Sequence, residues 1–247
     1  MEKKRVVLVT GAARGLGAAI ARRLGKDGFR VAVNYCHSQN LADKVAQGII
    51  AEGGEAKAFR ADVTNLDDVK AMLAEIRNTW GSVEILVNNA TGPQPERPLE
   101  EYSWQDFADQ IDFFIKAPVY LMQELIAPMK QARWGKVINI GSEVTENYRP
   151  IFSPYIAAKS ALLGLTRTWA LEFGPWNIAI NSIAPGWIPT ERHSDAESAD
   201  LEAYRAKVPM GRQGVPEDVA SAASYLAREE TNFISGQQFC VNGANTF

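Results

Sequence analysis

The chain has 247 residues, of which 46% are hydrophobic, enough for a sizeable core in one α/β domain. Lysine and arginine number 26 against 29 for aspartate and glutamate, without a run of like charge, which argues against a nucleic-acid or anionic-membrane surface and for a small-molecule partner. Two cysteines and two histidines provide neither a disulfide framework nor a spaced set of zinc ligands, so no metal is expected. No apolar stretch approaches the roughly 20 residues that span a bilayer, and the amino terminus runs from charges straight into a short strand, so the expected location is the cytoplasm.

The first predicted element is the strand VVLV, residues 6–9, followed by Leu16, Ile20 and Leu24 at helical spacing up to Gly28. The unit repeats with RVAV at 30–33, a helix striped by Leu41, Val45 and Ile49, a Gly53-Gly54 stop and a third strand ending near Asp62. A further helix carries Val69, Met72, Leu73 and Ile76. EILV at 84–87, KVINI at 136–140, IAINSI at 178–183 and QQFCV at 237–241 read as four more strands, with long helical segments between them, among them residues 104–133 and 155–173. The polar stretch 191–200 is the candidate mobile loop.

Fully apolar strands alternating with amphipathic helices predict a single Rossmann-type domain over residues 1–247: a doubly wound parallel sheet with helices on both faces and ligands beyond the carboxyl ends of the strands. The residues that carry chemistry do follow strands: Gly11, Asp62, Asn88, Ser142, and Pro185 with Gly186.

Between the first strand and the first helix stands TGAARGLG, with Thr10, Gly11, Arg14, Gly15, Leu16 and Gly17 as candidate cofactor-binding residues. Glycines at 11, 15 and 17 let the backbone turn sharply and approach a pyrophosphate, which the free N–H groups and dipole of the helix start stabilise. NAD sites of this type carry an acid about 20 residues on, at the end of the second strand. Here that region reads Asn34-Tyr35-Cys36-His37-Ser38. With no carboxylate to repel a 2′-phosphate and Arg14 placed to attract one, NADP is favoured over NAD, and His37 and Ser38 join the candidate set.

In SPYIAAKSA, Tyr155 and Lys159 are four residues apart and share one helical face. The glycine turn, NNA at 88–90, Ser142, YIAAK and PGWIPT at 185–190, in this order, resemble the short-chain dehydrogenase/reductase family over the whole chain, in the branch that holds 3-oxoacyl-[acyl carrier protein] reductases. The resemblance implies an oxidoreductase moving a hydride between a nicotinamide and a ketone or alcohol, with Ser142, Tyr155 and Lys159 catalytic. Tyr155 is then the general acid, its phenol made more acidic by the Lys159 cation, which also bonds the nicotinamide ribose. Asp62 and Val63 contact the adenine, Asn88 and Ala90 the adenosine ribose and nearby backbone, and Pro185, Gly186, Ile188 and Thr190 the nicotinamide side. It also implies a homo-oligomer, a tetramer, built on the helices at 104–133 and 155–173.

The match breaks at defined points. The asparagine usual before KVINIGS, which holds a water in a proton relay, is replaced by Phe114, so a catalytically impaired NADP-binding protein with a regulatory or assembly role is the alternative expectation. Thr91 and the VNGA at 241–244 also depart from the pattern. Of two basic positions for carrier-protein docking Arg133 fits one, but Trp176 occupies the other.

Overall fold

The computed structural model describes residues 4–191 and 198–247. Among them seven strands form one parallel sheet: β1 (Val6–Val9), β2 (Arg30–Tyr35), β3 (Glu55–Arg60), β4 (Ile85–Asn88), β5 (Gly135–Ile140), β6 (Ile178–Pro185) and β7 (Gln238–Val241). Their order, β3-β2-β1-β4-β5-β6-β7, reverses direction between β1 and β4, and that switch point opens a crevice at the carboxyl ends of both strands.

The helices are α1 (Gly15–Lys26), α2 (Gln39–Ala51), α3 (Leu66–Trp80), α4 (Trp104–Ile111), α5 (Ala117–Ala132), α6 (Ser153–Phe173), α7 (Ser198–Lys207) and α8 (Pro216–Ala227). Side chains alternate across each strand, so β1 sends Val7 and Val9 to one face and Val6 and Leu8 to the other. The first pair meets Ile20 and Leu24 of α1, Val45 and Ile49 of α2 and Val219 and Leu226 of α8. The second meets Val69, Met72 and Ile76 of α3 and Leu121, Leu125 and Met129 of α5. Burial on both faces accounts for the continuous apolar runs of the strands.

Three details depart from the sequence expectations. Leu41, expected in the apolar stripe of α2, is 40% exposed, because the buried face runs through Ala42, Val45, Ala46 and Ile49 and leaves Leu41 at its margin. The helix expected over 104–133 is interrupted by a π-helical turn, Asp112–Lys116, in which the Ala117 N–H reaches back to the Asp112 carbonyl. Pro118 supplies the reason: it has no N–H for the carbonyl of Phe114 and its ring crowds that carbonyl, so the register slips by one residue. Of the expected mobile loop at 191–200, residues 192–197 lie outside the described residues, while 198–200 already belong to α7.

Candidate active site

The glycine turn is built by backbone demands. Gly11 has φ +61° and Gly15 φ +56°, a region that side chains disfavour. A Cβ on Gly11 would stand 2.9 Å from Ala90 Cα, and one on Gly17 2.5 Å from both Asn89 Nδ2 and Gly11 O, so the β1 turn and the segment after β4 touch backbone to backbone. Thr10 ties them: its Oγ1 accepts from the Asn89 and Ala90 N–H groups at 2.9 and 3.0 Å and donates to Val87 O at 3.2 Å. Helix α1 then starts at Gly15 with no side-chain cap and no acid in its first turn, whereas α3 and α4 are capped by Asn65 and Ser103. An uncapped helix start behind a glycine turn is the donor set a pyrophosphate needs.

Asn34, absent from the residues expected to matter, organises this region. Its Oδ1 accepts from the Gly11 N–H at 3.1 Å and its Nδ2 donates to Ala61 O at 3.1 Å, joining the ends of β1, β2 and β3. The signal is an amide inside an otherwise apolar strand, which must find partners when buried. Arg14 is exposed at the mouth of the turn. Across from it the loop after β2 carries Cys36, whose Sγ lies 3.4 Å from the His37 ring, and Ser38, which precedes α2 without capping it through its side chain. Arg60, in register with Tyr35, donates from Nε to Cys36 O at 3.4 Å, bringing a cation not singled out from the sequence to the same loop. Burial, and then the Asp62 charge, raise the Cys36 thiol pKa. Asp62 Oδ1 accepts from both N–H and hydroxyl of Thr64, and its own N–H donates to Asp68 Oδ2. Val63, Asn88 and Ala90 line a narrow pocket with Thr10 and Phe114.

Deeper in the crevice, Asn88 Nδ2 donates to Asn139 Oδ1 at 2.8 Å, Asn139 Nδ2 to Thr166 Oγ1 at 2.9 Å, and Thr166 Oγ1 to Leu162 O at 2.9 Å. This buried chain pins α6 to the ends of β4 and β5. It fixes where Tyr155 and Lys159 stand, for both lie in the first two turns of α6. Lys159 is 5% exposed and its Nζ donates to Ile140 O at 2.6 Å, two residues before Ser142. Ser142, also buried, leads into the turn Glu143–Thr145. The strand end that carries the serine thus receives the lysine of the helix that carries the tyrosine. Phe152 stacks on the Tyr155 ring at 4.6 Å, and Phe114 meets it edge to face at 5.5 Å.

On the other side of the crevice Gly186 N–H donates to Val241 O, Ile188 is buried, and Thr190 faces Gly15, where an added Cβ would lie 3.6 Å from it. A second polar cluster, with no counterpart among the sequence expectations, lies here. Glu143 is buried, accepting from Tyr204 Oη at 2.7 Å and Asn245 Nδ2 at 3.1 Å, and Tyr204 Oη in turn accepts from the Trp187 N–H at 2.8 Å. Burial, followed by the bond to Glu143, raises the Tyr204 pKa, so its phenol stays protonated and donates. One hydroxyl of α7 therefore links the segment after Ser142 to the segment after β6. Arg133, by contrast, spends a donor on Pro175 O, and Trp176 lies under Lys130.

A family profile described as "Enoyl-(Acyl carrier protein) reductase" matches residues 11–245. The chain belongs to the short-chain dehydrogenase/reductase family. This member is similar to the 3-oxoacyl-[acyl-carrier-protein] reductase of Staphylococcus aureus, 36% identical over 244 residues and 98% of each chain. Among solved structures it is similar to a putative gluconate dehydrogenase from Agrobacterium tumefaciens, with a TM-score of 0.93 and 30% identity over 98% of this chain and 95% of the other. An angucycline C-6 ketoreductase with bound NADP superposes with a TM-score of 0.90 at 28% identity, over the same shares of the two chains. As a short-chain dehydrogenase/reductase the protein is an oxidoreductase acting on carbonyl and hydroxyl groups. Among the described residues no helix is long and apolar enough to cross a membrane, and no cluster of three potential metal ligands occurs.

Proposed function

We propose that the chain is one catalytic domain, residues 1–247, that reduces a ketone or aldehyde with NADPH, or runs the reverse oxidation. The observation that carries this reading is the convergence of Lys159 on Ile140 O beside Ser142, one helical turn from Tyr155, at the carboxyl end of the sheet. The uncapped start of α1 and the close-packed Gly11 and Gly17 fit a dinucleotide pyrophosphate. In this reading Thr10 and Leu16 belong to the pyrophosphate turn, Asp62, Val63, Asn88 and Ala90 hold the adenosine half, and Pro185, Gly186, Ile188 and Thr190 the nicotinamide half. Arg14, with His37 and Ser38, receives the 2′-phosphate in the absence of a carboxylate at the end of β2. The NADP bound to the related ketoreductase supports the same preference.

The nicotinamide, when bound, supplies the hydride. Ser142 Oγ and Tyr155 Oη both hydrogen-bond the substrate oxygen, and Tyr155 delivers its proton there as negative charge develops. A free phenol titrates near pH 10, and the Lys159 cation, held in a dry site, stabilises the phenolate left behind. We further propose a homo-oligomer, a tetramer, built on the helical segments α4–α5 and α6, where Trp104 is 74% and Leu171 83% exposed in the protomer. Phe114 in the usual asparagine position favours a second reading, an impaired NADP-binding protein that regulates or assembles.

One experiment separates the two: NADPH oxidation over a panel of ketones and aldehydes, beside calorimetry with NADPH and NADH. The catalytic reading expects turnover of at least one carbonyl and tighter binding of NADPH. Arg14→Ala should weaken NADPH more than NADH by about 1.5–3 kcal/mol. Binding without turnover across the panel supports the second reading, and equal affinity for NADH removes the role of Arg14.

A further inference from the structure

Phe114 is 3% exposed and sits in the π-helical turn, where the slipped register turns its ring toward α6. There it has two partners. Lys159 Nζ stands 3.8 Å from the ring centroid, and the Tyr155 ring packs at 5.5 Å with an interplanar angle of 81°. Phe152 stacks on Tyr155 at 4.6 Å with an angle of 25°. The tyrosine ring is therefore held between two phenylalanines, one of which also lies under the ammonium. Lys159 Nζ itself is 5.5 Å from the centre of the Tyr155 ring.

A buried ammonium has lost most of its water, and the negative face of an aromatic ring compensates part of that loss, most strongly where water is excluded. Lys159 is 5% exposed and its Nζ also donates to Ile140 O at 2.6 Å, so the ammonium lies among protein groups rather than in water. The ring can hold the cation there, but unlike an amide it can neither accept nor pass a proton.

We propose that Phe114 is a positioning residue of the reaction: with α6 already pinned to the sheet, its face holds Lys159 charged and its ring steadies Tyr155, so that one side chain packs against both the acid and the cation that tunes it. The inference rests on Tyr155 being the acid, but its test uses no turnover and so fails or succeeds independently of that assignment. The apo protein is titrated by two probes. Phenolate absorbance, taken as the difference from the same protein carrying Tyr155→Phe, isolates one of the seven tyrosines. NMR of side-chain-labelled lysine, assigned with Lys159→Ala, follows Lys159.

In Phe114→Leu the ammonium loses its ring and moves from the phenol, so the Lys159 pKa should fall and the Tyr155 pKa rise, each by about half a unit or more. Phe114→Tyr keeps the ring and should keep both values. If Phe114 were mere filling, the leucine variant would admit water and favour both charged forms, moving Lys159 up and Tyr155 down. That result, unchanged values, or a tyrosine variant that shifts like the leucine one would each overturn the proposal. Should Phe114→Leu fail to fold, Phe114→Met fills the volume without a ring and carries the same expectations.

Discussion

Lys136→Met should stabilise the protein at neutral pH and leave it unchanged at strongly alkaline pH. Lys136 is 1% exposed in β5, and its Nζ donates to Thr231 Oγ1 at 3.0 Å. Burial lowers its pKa from 10.5 to about 8, with Arg5 adding to the effect and Glu229 and Glu230 opposing it. Below about pH 8 folded and unfolded chains both carry the proton, and the folded state bears the full cost of a buried charge. Between about 8 and 10.5 the folded state loses its proton while the unfolded chain keeps it, so stability rises with pH across that window. The interval from about 8 to 10.5 corresponds to about 3 kcal/mol as an upper bound. Methionine has similar length and no charge, and Thr231 still donates to Leu226 O and Arg228 O, so little else is lost. Denaturant melts of both proteins at neutral pH and at pH above the window measure the difference. A gap between the proteins that does not shrink with pH, or a variant less stable at neutral pH, would refute the reasoning.

Gly11→Ala should abolish cofactor binding in calorimetry while the chain still folds, because φ +61° and a Cβ 2.9 Å from Ala90 Cα force the turn away from the β4 segment. Tyr204→Phe removes the donor to Glu143 and the acceptor for the Trp187 N–H. It should weaken NADPH about three- to tenfold, and unchanged affinity would show that the tie does not position the nicotinamide segment. Sedimentation at micromolar concentration should show an oligomer for the parent and a smaller species for Leu171→Glu; a parent that sediments as a monomer contradicts the proposed assembly.

Much of the fold was legible because parallel strands buried on both faces spell themselves as apolar runs, and the topology then places the segment after each strand at one edge of the sheet. VVLV and KVINI announced strands, so the glycine turn and Ser142 fell into place at their carboxyl ends. YIAAK placed Tyr155 and Lys159 on one face because four-residue spacing is a local, helical fact, while the roles expected of them came with the family resemblance. The features that escaped are long-range or depend on register. Asn34, Asn139 and Thr166 were visible as polar residues in apolar elements, but their partners lie on neighbouring strands and helices. Glu143 and Tyr204 meet only because α7 folds back over the strand ends. The π-turn follows from Pro118, yet that the slipped register would bring Phe114 onto Lys159 could be known only once α6 was in place. The apolar run of α6 suggested a mostly buried helix, whereas Leu171 is exposed, since an apolar run does not by itself say which of its faces the rest of the chain covers.

The central claim is that Tyr155 donates the proton to the substrate oxygen. It is tested most directly by measuring turnover and NADPH affinity of Tyr155→Phe on whichever carbonyl the panel identifies. The ring is retained, so its packing on Phe152 and Phe114 should persist and NADPH should bind nearly as in the parent, while kcat falls by a factor of about 100 or more. Turnover equal to the parent, with the cofactor bound, would contradict the account.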